Sequence, residues 1–184
     1  RVLEAVARRE IPVGGVDARR LGLLGHSRGG GVAVVRAGRD PRVRSLATWA
    51  GVATFQRFDD AARDLWRRQG YVEVENARTH QVFKLGVGFL DDLDAHAEAY
   101  DPVLAARRLR IPYLILHGTR DESVPVEEAA RLAHASDPGL TRQALIEGAN
   151  HTFGATHPFS GSPPALLRAI DRTIGWFHQS LGAA

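Results

Sequence analysis

The chain has 184 residues, a formal net charge of +3, 44% hydrophobic and 24% charged residues, and neither cysteine nor methionine. That length predicts one domain with a sizeable core, and the absence of cysteine excludes a disulfide framework and thiolate metal sites. No apolar stretch reaches the roughly 18 residues of a membrane span, and no basic segment leading into an apolar one opens the chain, so no signal peptide is visible and a cytoplasmic location is expected.

In chain order, Val2, Leu3, Val6 and Ala7 fit one face of a short helix ending near Glu10 and Pro12. Val16 to Leu24 reads as the first strand. It runs into Gly25-His26-Ser27-Arg28-Gly29-Gly30 and then into a helical stretch that Asp40-Pro41 ends. Val43 to Trp49 reads as the second strand. A long segment, residues 52–105, separates it from the next. Within that segment Phe55, Phe58, Ala62 and Leu65 suggest one amphipathic helix, and Tyr71 to Leu85 suggests a hairpin around Asn76-Ala77-Arg78-Thr79. Asp91, Asp92, Asp94, His96 and Glu98 follow; their crowded spacing on a helix fits a solvated face, so no metal site is expected.

Pro112 to Gly118 is apolar throughout and reads as a buried parallel strand. A helix begins near Pro125, with Glu127 and Glu128 in its first turn, where the dipole favours them. Arg142 to Ile146 is the fourth strand. After Pro163-Pro164 comes a last helix, whose Leu166, Ile170, Ile174, Phe177 and Leu181 make a stripe for packing on a sheet. Strands alternating with helices imply an α/β fold with a mostly parallel sheet flanked by helices.

The chemistry concentrates at three strand ends. Ser27 sits at the apex of a strand–turn–helix, with Gly25 and Gly29 two positions to either side, where a sharp turn needs small residues. The N–H of Arg28 can point at the same spot as the serine hydroxyl, as an oxyanion donor. Asp121 follows the apolar third strand, and open α/β sheets place their sites at the carboxyl ends of strands. His151 follows the fourth strand on a loop of small residues, and an imidazole there can take the serine proton and return it. The order Ser27, Asp121, His151 is the order of a Ser-Asp-His triad on such a sheet. His157 is the backup base and Glu122 the weaker alternative acid; His117 reads as a core histidine, and His26 as a residue pointing away from the serine that only packs.

Residues 25–30, 117–125 and 148–153 resemble the nucleophile elbow, acid loop and histidine loop of the α/β-hydrolase superfamily, and within it the dienelactone-hydrolase and prolyl-oligopeptidase-like esterases. The resemblance runs from about Val16 onward. It implies a serine hydrolase cleaving carboxylic esters through an acyl-enzyme, with a small-molecule ester as partner and no cofactor. A serine peptidase is the alternative within enzymes, and a non-catalytic binding module the alternative outside them. The resemblance also implies that residues 52–105 form a lid over the acyl pocket.

One departure is expected. Such hydrolases have several strands before the nucleophile strand, whereas only residues 1–15 precede Val16 here. The chain, residues 1–184, is therefore expected to be the carboxyl-terminal part of a larger catalytic domain. Its nucleophile strand would form a sheet edge, and the loop carrying a second oxyanion donor would be missing. Lys84 is the sole lysine among 24 basic residues. The arginine clusters, such as Arg19-Arg20 and Arg67-Arg68, are short and separate, so no nucleic-acid partner is expected. Oligomeric state leaves no mark in the sequence.

Overall fold

The computed structural model describes residues 17–76 and 80–182, together with Glu4, Ala5, Arg8 and Glu10. Val2, Leu3, Val6 and Ala7 of the expected first helix, the start of the first strand at Val16 and the turn residues Ala77, Arg78 and Thr79 lie outside these.

Four parallel strands make the main sheet: β1 (Leu21–His26), β2 (Val43–Trp49), β5 (Tyr113–Gly118) and β6 (Thr141–Ile146), in the spatial order β1-β2-β5-β6. Each is joined to its neighbour by helical crossovers, as parallel pairing requires. The first strand starts at Leu21, later than Val16. Residues 17–20 form a turn instead, because the Asp17 carboxylate accepts the Arg19 N–H at 2.9 Å and the Arg20 guanidinium at 3.0 Å. The strand also runs on through Gly25 and His26, so the turn is confined to Ser27.

One face of the sheet is covered by α1 (Arg28–Ala37), α4 (Pro102–Arg108) and α5 (Val126–Ala135), around Val34, Leu46, Tyr113, Ile115 and Leu132. The other is covered by α6 (Pro164–Leu181), packed on Ala47, Leu114, Leu116 and Ile146. β5 lies in the middle and is buried at every residue, which is why its sequence is apolar without alternation. The buried face of α6 matches the predicted stripe except at Ile174. Ala169 and Thr173 are buried, Leu166 and Phe177 pack beside them, and Ile174 is exposed. Polar contacts add to this packing. Thr173 accepts the Trp49 indole N–H at 2.8 Å, and the Trp176 indole donates to Leu46 O at 3.1 Å.

The segment between β2 and β5 holds α2 (Asp60–Gln69), a hairpin of β3 (Tyr71–Glu75) and β4 (Val82–Gly86), then α3 (Val87–Ala95). Asp59 caps α2 by accepting the Ala62 N–H, so Phe55 and Phe58 precede the helix. The buried residue of α2 is Trp66; Ala62 and Leu65, expected on the apolar face, are exposed. Trp66 meets the Phe58 ring edge-on at 5.0 Å and stacks over Phe89 of α3 at 6.1 Å. The acidic run is more than a solvated face. Asp94 receives Arg63 and Arg67 from α2, and the Arg63 hydrogen bond holds its carboxyl below the usual range. Among the described residues no helix is long and apolar enough to cross a membrane.

Candidate active site

β1, β5 and β6 end at the same edge of the sheet, and the parallel register fixes the spacing of their loops. Ser27 stands directly after β1 with φ 57° and ψ −126°, a conformation that costs a non-glycine residue roughly 1–3 kcal/mol. Its backbone is held from two sides. The Ser27 N–H donates to Trp49 O at 2.8 Å, and Ser27 O accepts the N–H groups of Gly30 and Val52 at 2.9 and 3.2 Å.

The glycines divide their work differently from the sequence reading. A Cβ on Gly25 would collide with the carbonyl of Gly29 and stand 2.8 Å from Ala33 Cβ. A Cβ on Gly29 would meet nothing within 4 Å among the described residues. The second tight position is Gly30, where a Cβ would lie 2.7 Å from Gly51 Cα in the loop after β2. The elbow thus needs Gly25 and Gly30, and Gly29 contributes its backbone. Arg28 opens α1, so its N–H is one of the donors a helix leaves without an intrahelical partner. Its guanidinium lies over the Phe89 ring, 5.5 Å from the centroid.

Asp121 lies on the loop after β5 with its side chain fully buried. Oδ1 accepts the N–H groups of Ser123 and Val124 at 2.9 and 2.8 Å, and Oδ2 accepts His151 Nδ1 at 2.8 Å. A carboxylate only accepts, so the His151 proton sits on Nδ1 and Nε2 is left as an acceptor. Nε2 lies 3.0 Å from Ser27 Oγ. The structure thus brings Ser27, His151 and Asp121 into one line. The backup residues His157 and Glu122 are exposed, and neither bonds to these groups.

The acid and histidine loops cross at Gly118, where a Cβ would collide with Ala149 O. Arg120 donates its N–H to that same oxygen at 2.9 Å, and Thr119 Oγ1 accepts the Gly148 N–H at 2.8 Å. Asn150 Oδ1 takes the N–H of Gly154 at 2.8 Å, and Phe153 anchors the loop with a buried ring against Trp49. His26 does more than pack away from the serine. Its Nε2–H donates to His151 O at 2.9 Å and its ring lies 4.7 Å from the His151 ring. The sequence carried a signal for Gly118, the last residue of an apolar strand before the acid loop, but none for His26, whose partner is 125 positions away.

A hydroxyl, a half-buried imidazole and a buried carboxylate in this line can move a proton off the serine, and a helix amino terminus alongside can hold negative charge. Comparison with known proteins places the chain. Residues 3–184 match the prolyl oligopeptidase family. The chain belongs to that family. Its mostly parallel sheet flanked by helices is that of the α/β-hydrolase fold. The chain is 26% identical over 168 residues to the uncharacterized peptidase YuxL of Bacillus subtilis (strain 168), covering 90% of this chain and 23% of that one. In fold it is similar to a puromycin-hydrolyzing peptidase of Mycobacterium tuberculosis, with a TM-score of 0.67, 22% identity and coverage of 98% of this chain and 25% of that one. It is also similar to the esterase domain of a Rhodothermus marinus protein, with a TM-score of 0.63, 21% identity and coverage of 98% and 69%. The chain therefore spans about a quarter of the length of the first two relatives.

Proposed function

We propose that this prolyl oligopeptidase family chain hydrolyses carboxylic esters of small molecules through an acyl-enzyme. The observation that carries this reading is the hydrogen-bonded line from Ser27 Oγ through His151 to Asp121, at 3.0 and 2.8 Å. Ser27 Oγ attacks the acyl carbonyl while its proton passes to His151 Nε2. The carbonyl oxygen becomes an oxyanion facing the Arg28 N–H. His151 then gives the proton to the leaving alcohol, and water repeats the sequence on the acyl-enzyme. Asp121 keeps the His151 proton on Nδ1 and stabilises the imidazolium that forms. The route needs no metal or organic cofactor.

A second reading, cleavage of short peptide amides, is favoured by the family match and by the peptidase named among the relatives. The same groups serve both, since amides differ in needing a stronger push on the leaving nitrogen. An intact line of three aligned groups is no help to a pure binding module, so that alternative is not favoured.

Residues 52–105 act as a lid in this reading. α3 and the loop before α2 face α1 across a groove of about 370 Å³, walled by Val32, Val35, Phe55, Phe89, Leu93 and Tyr100. Arg28, the residue after Ser27, lines the same groove.

A fluorophosphonate probe tests the proposal. Labelling that maps to Ser27 and is lost in Ser27→Ala is expected; a protein that stays unlabelled, or is labelled elsewhere, overturns it. Rates on aryl esters against aminoacyl anilides then separate ester from peptide cleavage.

A further inference from the structure

His117 is wholly buried at the end of β5, and nothing in the acyl-enzyme route uses it. Its Nε2 lies 2.8 Å from Val124 O and 3.4 Å from Asp121 Oδ2. Both oxygens only accept, so the ring proton sits on Nε2. Nδ1 has no hydrogen-bond partner among the described residues, and no proton is needed there. A buried polar ring with one edge satisfied and the other bare is retained at a cost against a fitted apolar side chain.

The bond it does make falls on a particular stretch of chain. Val124 offers its carbonyl to His117 and its N–H to Asp121 Oδ1. Ser123 offers a second N–H to the same Oδ1. His117 therefore clamps the short turn that wraps Asp121, while its N–H edge faces the oxygen that receives His151. We infer that His117 is a positioning residue: by pinning Val124 and facing Asp121 Oδ2, it aims the carboxylate at His151 Nδ1. The inference rests on the acyl-enzyme reading above. It gives the sheet end a fourth member behind the line of three: His117, Asp121, His151, Ser27.

The test uses three variants in the intact protein. His117→Leu removes the donor, His117→Gln keeps an N–H close to the Nε2 position, and His117→Asn draws it back towards Nδ1. His117→Leu is expected to lower kcat by about 10–100-fold with KM little changed, as supporting groups behind an active histidine do. His117→Gln should recover most of the loss and His117→Asn little of it. The downfield proton signal of a His151 Nδ1–H bonded to a carboxylate gives a readout independent of turnover. It should persist in His117→Gln and vanish or shift in His117→Leu. If His117→Leu does not fold, the Gln and Asn pair decides. Equal kcat in Gln and Asn, or a folded Leu variant with wild-type kcat and an unmoved signal, overturns the inference. Wild-type turnover in Ser27→Ala would instead sink the acyl-enzyme reading, and the proton signal would still report on His117.

Discussion

At position 25 a methyl group has no room, because the Gly29 carbonyl and Ala33 Cβ already occupy it. Gly25→Ala should cost roughly 1–3 kcal/mol in a denaturation midpoint, as overpacking does, and should lower activity further by tilting Ser27. Gly29→Ala faces open space among the described residues and should leave stability nearly unchanged. Equal losses in the two would refute this division of the elbow. Ser27→Ala should abolish ester turnover and probe labelling while the melting temperature holds, since the strained backbone is kept by its bonds to Trp49, Gly30 and Val52. Near-normal turnover in that variant would end the mechanism. The three side chains that the structure aligns, Ser27, His151 and Asp121, were legible in the sequence because each follows a strand on a loop with its own signature. Gly30 and His26 were not, since what they touch, Gly51 and the carbonyl of His151, is brought near only by the folded sheet.

Among the elements, the junction of α1 with β2 hangs on Asp40. Its nearly buried carboxylate takes Arg42 and Arg36, and the Arg42 hydrogen bonds hold it well below the usual carboxylate range. A depressed folded pKa adds stability above the unfolded value of about 3.9 and loses it as pH falls towards the folded one. Asp40→Asn should therefore cost about 1.5–3 kcal/mol at neutral pH. The gap to wild type should shrink as melting is followed down from about pH 4. A gap that is constant down to about pH 2 would mean the charge is irrelevant. The insertion makes a different prediction. Phe89→Ala opens the groove wall, so the ratio of kcat/KM for bulky over short esters should change several-fold, while the rate of reaction with a small phosphonate stays put. An unchanged ratio would reduce α3 to packing. The sequence marked this segment by its length and its hairpin correctly. It misassigned the apolar face of α2, because Trp66 finds its partners, Phe58 and Phe89, outside the helix's own period. On α6 the predicted stripe holds at Leu166 and Phe177, which pack on the sheet, and fails at Ile174, which is exposed.

In the molecule as a whole, β1 is one of the two outer strands of the main sheet among the described residues, and its Leu24 is 45% exposed. An apolar edge strand with unpaired backbone groups is a template for pairing with another copy. A polypeptide of residues 1–184 on its own should self-associate, and Leu24→Lys should shift it towards monomer in size-exclusion or light-scattering measurements. Identical behaviour of the two would show that the edge is already protected. The sheet also separates two tasks in space. Ser27, Asp121 and His151 leave the ends of β1, β5 and β6, whereas the groove wall opposite α1 leaves the end of β2, the one strand of the four that contributes no member of the proposed triad. Mutation and selection can lengthen, trim or replace what hangs from β2 without resetting the distances among the other three. A lineage built this way can change its diet and keep its teeth.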